Sequence, residues 1–203
     1  MINLYYAKTP NGYKIKIFLE EAGMEYKENL VDLSKGEQFK PEFLKISPNN
    51  KIPAILDTEP RDKGTPISVF ESGAILMYLG EKIGKFIPSS FRSRIEALEW
   101  LFWQVGGLGP MAGQAGRFRI YGKEKVPSGV ERYTNESKRL YGVLEKRLEG
   151  RDYIAGEYSI ADMACYPWIV AHESHGQNLE EFKNITAWHE RISKRPAVRK
   201  AYL

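Results

Sequence analysis

Strand-like sequence in this chain is confined to roughly its first eighty residues, and that asymmetry limits the fold more than any single motif. Asn3 to Tyr6 is a short strand candidate. Ile15, Phe18, Leu19 and Ala22 then recur at helical spacing, and Gly23 is placed to end that helix. Tyr26 to Leu33 alternates like a strand, and Pro53 to Leu56 with Ile67 to Phe70 forms a hairpin around "DTEPRDKGTP". Glu71 to Glu81 is helical again, with Ala74, Ile75, Tyr78 and Leu79 on one side. A strand–helix–strand unit needs a crossover, which makes its two strands parallel.

Beyond residue 90 only the helical period is left. "SRIEALEWLFWQVGGLG" carries Ile95, Leu98, Leu101, Phe102 and Val105 as a stripe. Val130 to Leu148 carries Tyr133, Leu140, Tyr141, Leu144 and Leu148. "YSIADMACYPWIVAH" is apolar nearly all round, the mark of a bundle's buried central helix. "NITAWHERISKR" is a further helix, halted by Pro196. Residues 1–84 therefore read as a small α/β domain, 85–91 as a linker within "GKFIPSSFR", and 92–203 as an all-helical domain. No internal repeat is present.

At 203 residues the chain can build two such cores. No run reaches the roughly 18 apolar residues of a membrane helix, and no secretory leader is expected from "MINLYYAKTPNG". A single cysteine excludes an internal disulfide and a cysteine-rich zinc site, which suits the cytoplasm. The net charge is +4, but its Lys and Arg alternate with Glu, as in "EKRLEGRD". Solvated helix faces are expected, not a nucleic-acid stripe. "HESH", residues 172–175, is one residue short of the zinc-protease spacing, so no metal ligands are assigned, and "GGLGPMAG" lacks a phosphate loop's closing residues and reads as a break in a long helix. Cys165 lies in the central apolar run, as a small core hydrophobe would, and His189 reads as a surface residue.

Four stretches carry more than packing information. In "YSIAD", Ser159 and Asp162 have capping-box spacing, a folding device. In "TPNG", Thr9 and Pro10 make a good helix start; alternatively the Thr9 hydroxyl, Asn11 and the first backbone N–H groups donate to an anion, and a thiolate there would have its pKa lowered. In "NNKIPAIL", Pro53 either simply opens a strand or follows a cis bond, which would turn the Ile52 N–H and C=O outward to pair with an extended peptide. In "FESGAIL", Ser72 is either a plain cap or, with Glu71 and the free N–H groups of a helix start, a receptor for an amino-acid head group.

Taken in order, "TPNG", "ISPNNKIPAI", "FESGAILMYL", "WLFWQVGGLGPM" and "YSIADMACYPW" resemble the glutathione S-transferase superfamily from Asn3 to about Pro196, and its bacterial nu class of disulfide-bond oxidoreductases most of all. The resemblance implies a thioredoxin-like domain followed by a helical one, usually in a homodimer. The turn at Thr9–Gly12 then stands where thioredoxin-type domains keep reactive cysteines, and it contains none. The thiol handled would be that of glutathione itself, as GSH or GSSG. The resemblance implies that Ile52, beside a cis Pro53, pairs with its cysteinyl part and that Glu71 and Ser72 hold the γ-glutamyl head. It places Gln38 and Lys51 at the glycine end, sets Thr9 and Asn11 facing the sulfur as catalytic groups, and has Arg132 reaching over from the helical domain, on the strength of "ERY". Tyr6 sits near the place where other branches keep a sulfur-activating tyrosine, but in a strand its expected job is packing. The implied activity is thiol–disulfide exchange on small disulfides, with organic peroxides as further acceptors. The alternatives are conjugation of glutathione to electrophiles and a non-catalytic glutathione-binding or assembly module. Neither a membrane nor a nucleic acid is an expected partner.

Overall fold

A computed structural model describes residues 1–203, which divide into two compact units, Met1–Ile87 with Pro196–Leu203, and Pro88–Arg195. The first unit runs β1 (Ile2–Tyr6), α1 (Pro10–Ala22), β2 (Tyr26–Leu30), the short α2 (Pro41–Leu44), β3 (Ala54–Asp57), β4 (Ile67–Phe70) and α3 (Ser72–Ile83). The sheet order is β2-β1-β3-β4, with β1 and β2 parallel and the other two pairs antiparallel. This is the thioredoxin-like arrangement implied above. β2 is shorter than its alternation suggests: Asp32 caps a 3-10 turn over Leu33–Lys35 through its side chain, and that local bonding ends the strand.

Strand periodicity puts Ile2, Leu4 and Tyr6 on one face, all buried. Tyr5 points the other way and meets Phe43 of α2 edge-on at 6.4 Å. α1 packs against α3. Its start is pressed onto the end of β1 so closely that a Cβ at Gly12 would lie 2.2 Å from the Ala7 carbonyl oxygen, so the turn tolerates only glycine there. On α3 the buried positions are Ser72, Gly73, Ile75, Leu76, Leu79 and Gly80; Ala74, expected on the core side, is exposed.

The chain's last residues belong to this unit and not to the helical one. α9 (Pro196–Ala201) packs on α1, with Tyr202 stacked on Tyr13 at 4.2 Å and Lys200 paired to Glu20 at 2.7 Å. Pro196 stops one helix and opens another, and nothing in so short a segment announces which core it will join.

The second unit holds α4 (Phe91–Trp103), α5 (Gly109–Gly116), α6 (Pro127–Arg147), α7 (Ile160–Val170) and α8 (Lys183–Ser193). The glycine-rich stretch after α4 does not break the helix; it widens into a π-helical turn over Gln104–Leu108. α7 is the buried central helix, packed against α4 and α8, and Cys165 is fully buried within it. No helix in the structure is long and apolar enough to cross a membrane.

Asp162 ties this unit together. The capping box is formed, and the carboxylate also accepts from the Ile154 N–H at 3.0 Å and the Trp188 indole N–H at 2.8 Å. Complete burial pushes Asp162 up to about 6, against the pull of these hydrogen bonds. A raised folded-state pKa contributes stability below the unfolded value near 4 that is lost as pH rises through about 6. Denaturation of wild type and Asp162→Asn at pH 4, 5.5 and 7 should therefore show the wild type's advantage shrinking by roughly 2–3 kcal/mol across that window. A constant difference would place the titration elsewhere.

Candidate functional site

The first unit contains a small cleft of about 150 Å³ lined by Asn11, Ser47, Lys51, Ile52, Pro53, Phe70, Glu71 and Ser72. Larger hollows, of about 500 and 470 Å³, lie along residues 117–131 of the helical unit. Volume does not recommend the cleft, which is below the ~300 Å³ at which small-molecule pockets begin and could hold only part of a ligand. Its hydrogen-bonding chemistry does.

Consider first the edge of the sheet. The Ile52–Pro53 bond is cis. β3 begins only at Ala54, so the N–H and C=O of Ile52 lie outside both ladders and make no backbone–backbone hydrogen bond. An extended peptide can add itself there as a strand would. The preceding turn is fastened from within, since Ser47, fully buried, donates its hydroxyl to the Lys51 carbonyl at 2.7 Å. The Lys51 side chain is exposed and makes no ion pair.

The second element is the start of α3. Ser72 is not its cap: it is already the first helical residue, and Glu71 stands at the cap position without any side-chain cap bond. α1 and α4, by contrast, are capped by the side chains of Thr9 and Ser90. The uncapped N–H groups and the positive end of the dipole suit a carboxylate. Glu71 holds φ at +70°, a conformation that costs a non-glycine residue about 1–3 kcal/mol and recurs at ligand clamps. Its exposed carboxylate is available to an ammonium group.

Thr9 does serve as a cap, but a loose one. Its Oγ1 accepts from the Gly12 N–H at 3.4 Å and donates to the Ala7 carbonyl at 3.4 Å, both at the long limit of hydrogen bonding. The hydroxyl can be redirected at little cost. Asn11 lines the cleft, whereas Thr9 and Gln38 do not. Gln38 sits in the 3-10 turn Glu37–Phe39, with its Oε1 buried and without a partner. Arg132 is exposed on α6 of the other unit, with its guanidinium carbon 5.9 Å from the centre of the Tyr133 ring. The structure thus gathers Asn11, Lys51, Ile52, Pro53, Glu71 and Ser72 around one cleft.

Tyr6 has the packing role. It is buried, it donates to Glu28, and burial followed by that hydrogen bond pushes its phenol well above the usual range. Glu28 stays ionised below the ordinary carboxylate range: burial acts to raise it, but hydrogen bonds from Tyr6 and Lys16 prevail. The histidines belong to packing as well. His175 is buried against Trp168, its pKa lowered to about 4 by that burial, and His189, expected at the surface, is half-buried and stacked on Tyr166 at 5.2 Å.

One residue escaped the sequence reading. Lys14 is buried, and its Nζ donates to the Ser72 Oγ at 3.1 Å. The signal was its place four residues before Phe18, on the apolar stripe of α1 rather than on its polar side.

The family model "Glutathione S-transferase, N-terminal domain" matches residues 2–81, and "Glutathione S-transferase, C-terminal domain" matches 110–196. The sequence is 55% identical over 204 residues to the disulfide-bond oxidoreductase YfcG of Escherichia coli (strain K12), covering 100% of this chain and 95% of that one. A glutathione transferase of Burkholderia graminis, solved with two glutathione molecules bound per subunit, superposes with a TM-score of 0.93 at 43% identity, over 99% of this chain and 87% of its own. One from Pseudomonas putida, with one glutathione disulfide bound per subunit, gives 0.93 at 41% identity, over 99% and 90%.

The strain at Glu71 makes stability and binding separable. Glu71→Gly should raise the unfolding free energy by roughly 1 kcal/mol, because it relieves the positive φ at some cost in chain entropy. Removing the carboxylate should weaken glutathione binding at least tenfold. Urea denaturation and calorimetric titration read the two effects; a variant that loses stability would show that Glu71 is not strained.

Proposed function

The chain belongs to the glutathione S-transferase family, and on that premise we propose that it is a glutathione-dependent disulfide-bond oxidoreductase of the bacterial nu class, acting on small disulfides and, secondarily, organic peroxides. The observation that carries this reading is the unpaired Ile52 backbone opening onto the same cleft as the uncapped start of α3. A γ-glutamyl dipeptide has the matching groups in that order: a carboxylate and an ammonium on one carbon, then an extended backbone.

In this reading Ser72 and the α3 N–H groups take the head-group carboxylate, Glu71 takes the ammonium, and the Ile52 N–H and C=O pair with the cysteinyl residue. Pro53 shapes that edge. Lys51 and Gln38 serve the glycine end, and Arg132 is the remaining cation that the family resemblance assigns to glutathione. The cysteinyl sulfur comes to the start of α1, where the dipole and donation from Thr9 and Asn11 favour the thiolate. The thiolate attacks one sulfur of the acceptor disulfide, forming a mixed disulfide and expelling a thiolate. A second glutathione thiolate attacks the glutathione sulfur of the mixed disulfide and expels the other. Two GSH and one disulfide thus become GSSG and two thiols, and holding both glutathiones in one site makes the second step nearly unimolecular.

No protein cysteine takes part. Cys165 is fully buried in α7 and stays a core residue, and a lone protected thiol suits a reducing cytoplasm. The homodimer belongs to the same reading. Phe91, Ile95 and Phe102 lie on one face of α4 and are 78%, 41% and 61% exposed, a stripe of the kind a second copy covers. Phe102→Glu should then convert a dimer to a monomer in analytical ultracentrifugation.

The deciding experiment couples reduction of bis(2-hydroxyethyl) disulfide by glutathione to glutathione reductase, with an aryl-halide conjugation assay beside it. Cys165→Ala should retain turnover, and Thr9→Ala should lower it roughly tenfold to hundredfold, the worth of one hydrogen bond to a charged group. Conjugation outrunning disulfide reduction would favour the transferase alternative. Loss of activity with Cys165 would overturn the assignment of the thiol.

A further inference from the structure

α1 is held along more than the stripe that its periodicity predicts. Ile15, Phe18 and Leu19 of that stripe are fully buried. Tyr13, Ile17 and Glu20, spaced i, i+4 and i+7, make a second face, and α9 with the residue after it lies against it. Tyr202 stacks on Tyr13, with ring centres 4.2 Å apart and 20° between the planes, and Lys200 pairs with Glu20 at 2.7 Å. Ile17, between the two, is fully buried, as is Ala201 of α9. One contact therefore falls on the first turn of α1 and the other on its last.

The first turn is the one that carries the groups assigned to the sulfur. Its Thr9 cap is long, at 3.4 Å, and the turn is closed by Tyr13, whose N–H donates to the Thr9 carbonyl at 3.0 Å. Tyr13 thus joins the ring stack on the outside of α1 to the backbone of Thr9, two residues from Asn11. Stacked rings favour one arrangement over others, so the contact fixes orientation as well as distance. Position matters at such a place, since a displacement of about 1 Å can cost on the order of a hundredfold in rate.

We propose that Tyr202 is a positioning residue of the glutathione site: stacked on Tyr13, it fixes the first turn of α1 and so the placing of Thr9 and Asn11 against the sulfur. The inference rests on the glutathione reading above. It separates the sulfur from the rest of the ligand. The head-group and backbone contacts come from α3 and Ile52, which the stack does not touch.

The test follows the bound thiol. Its pKa is read from the ultraviolet absorbance of the thiolate in protein saturated with glutathione. Tyr202→Ala should raise that pKa by roughly one unit, because the helix start is what lowers it. Calorimetric titration with the sulfur-free analogue, in which 2-aminobutyrate replaces the cysteinyl residue, should change less than twofold. Tyr202→Phe keeps the ring and should restore the wild-type pKa. An unshifted pKa in Tyr202→Ala, a Phe variant as defective as the Ala variant, or an equal loss of affinity for the analogue would each overturn the proposal. Should Tyr202→Ala not fold, Tyr202→Leu keeps apolar bulk without the stack, and the same upward shift is expected of it; no shift there overturns the proposal as well. Wild type that does not bind glutathione, or that leaves its thiol with the pKa of the free compound, would instead remove the functional reading on which this one stands.

Discussion

A backbone N–H or C=O taken out of water must find a partner, and at two neighbouring points this chain does not supply one. Ile52 lies just short of β3 with both its polar groups lacking a backbone partner, and α3 starts without a side-chain cap. In the helical unit one carboxylate meets the same requirement several times over: Asp162 alone satisfies donors from Ile154, Ser159 and Trp188. The two unmatched points lie on one cleft, a mark that cavity size does not supply. What a fold leaves unsatisfied at its surface is what a ligand can satisfy, and the Glu71 backbone is held in a costly conformation at the same place.

The buried charges divide along the same line. Lys16 with Glu28, and Lys82 with Asp57, are closed inside their unit by partners on other elements. Such pairs join β1, β2 and α1, or the hairpin and α3, and leave nothing for a ligand. Burial acts to raise Asp57, but Lys82 and Tyr78 bond to it and keep it ionised below its ordinary range. Lys14 reaches a hydroxyl that lines the cleft.

Periodicity made the sheet, the helices and the change of grammar near residue 85 legible, because each of those features is local. The cleft was legible for a related reason: Pro53, Glu71 and Ser72 stand at element boundaries, where proline and cap chemistry leave marks in sequence. Resemblance supplied what spacing could not, namely that two boundaries far apart in the chain belong to one cleft. The misses were of another kind. Lys14 was hidden because a lysine on an apolar stripe reads as a blemish until the residue opposite it is known. α9 was assigned to the helical domain because docking of a six-residue helix is decided by Tyr13 and Glu20, almost two hundred residues away. The stripe of α4 is core only in part: Leu101 is buried, yet Ile95 and Phe102 are exposed, since an apolar face specifies burial without specifying by what.

The empty redox position at Thr9–Gly12 then has a physical logic. A cysteine there would carry the thiol on the protein, and the helix start would have to activate it. Here the helix start is kept, Gly12 lets it press against β1, and the thiol is delegated to the co-substrate. On the proposed reading the protein needs only to hold that sulfur at a dipole and to leave one adaptable hydroxyl beside it. Thr9, bonded at 3.4 Å on both sides, has that freedom, because a group committed to strong bonds within the fold could not turn to follow a sulfur between its thiolate and disulfide states.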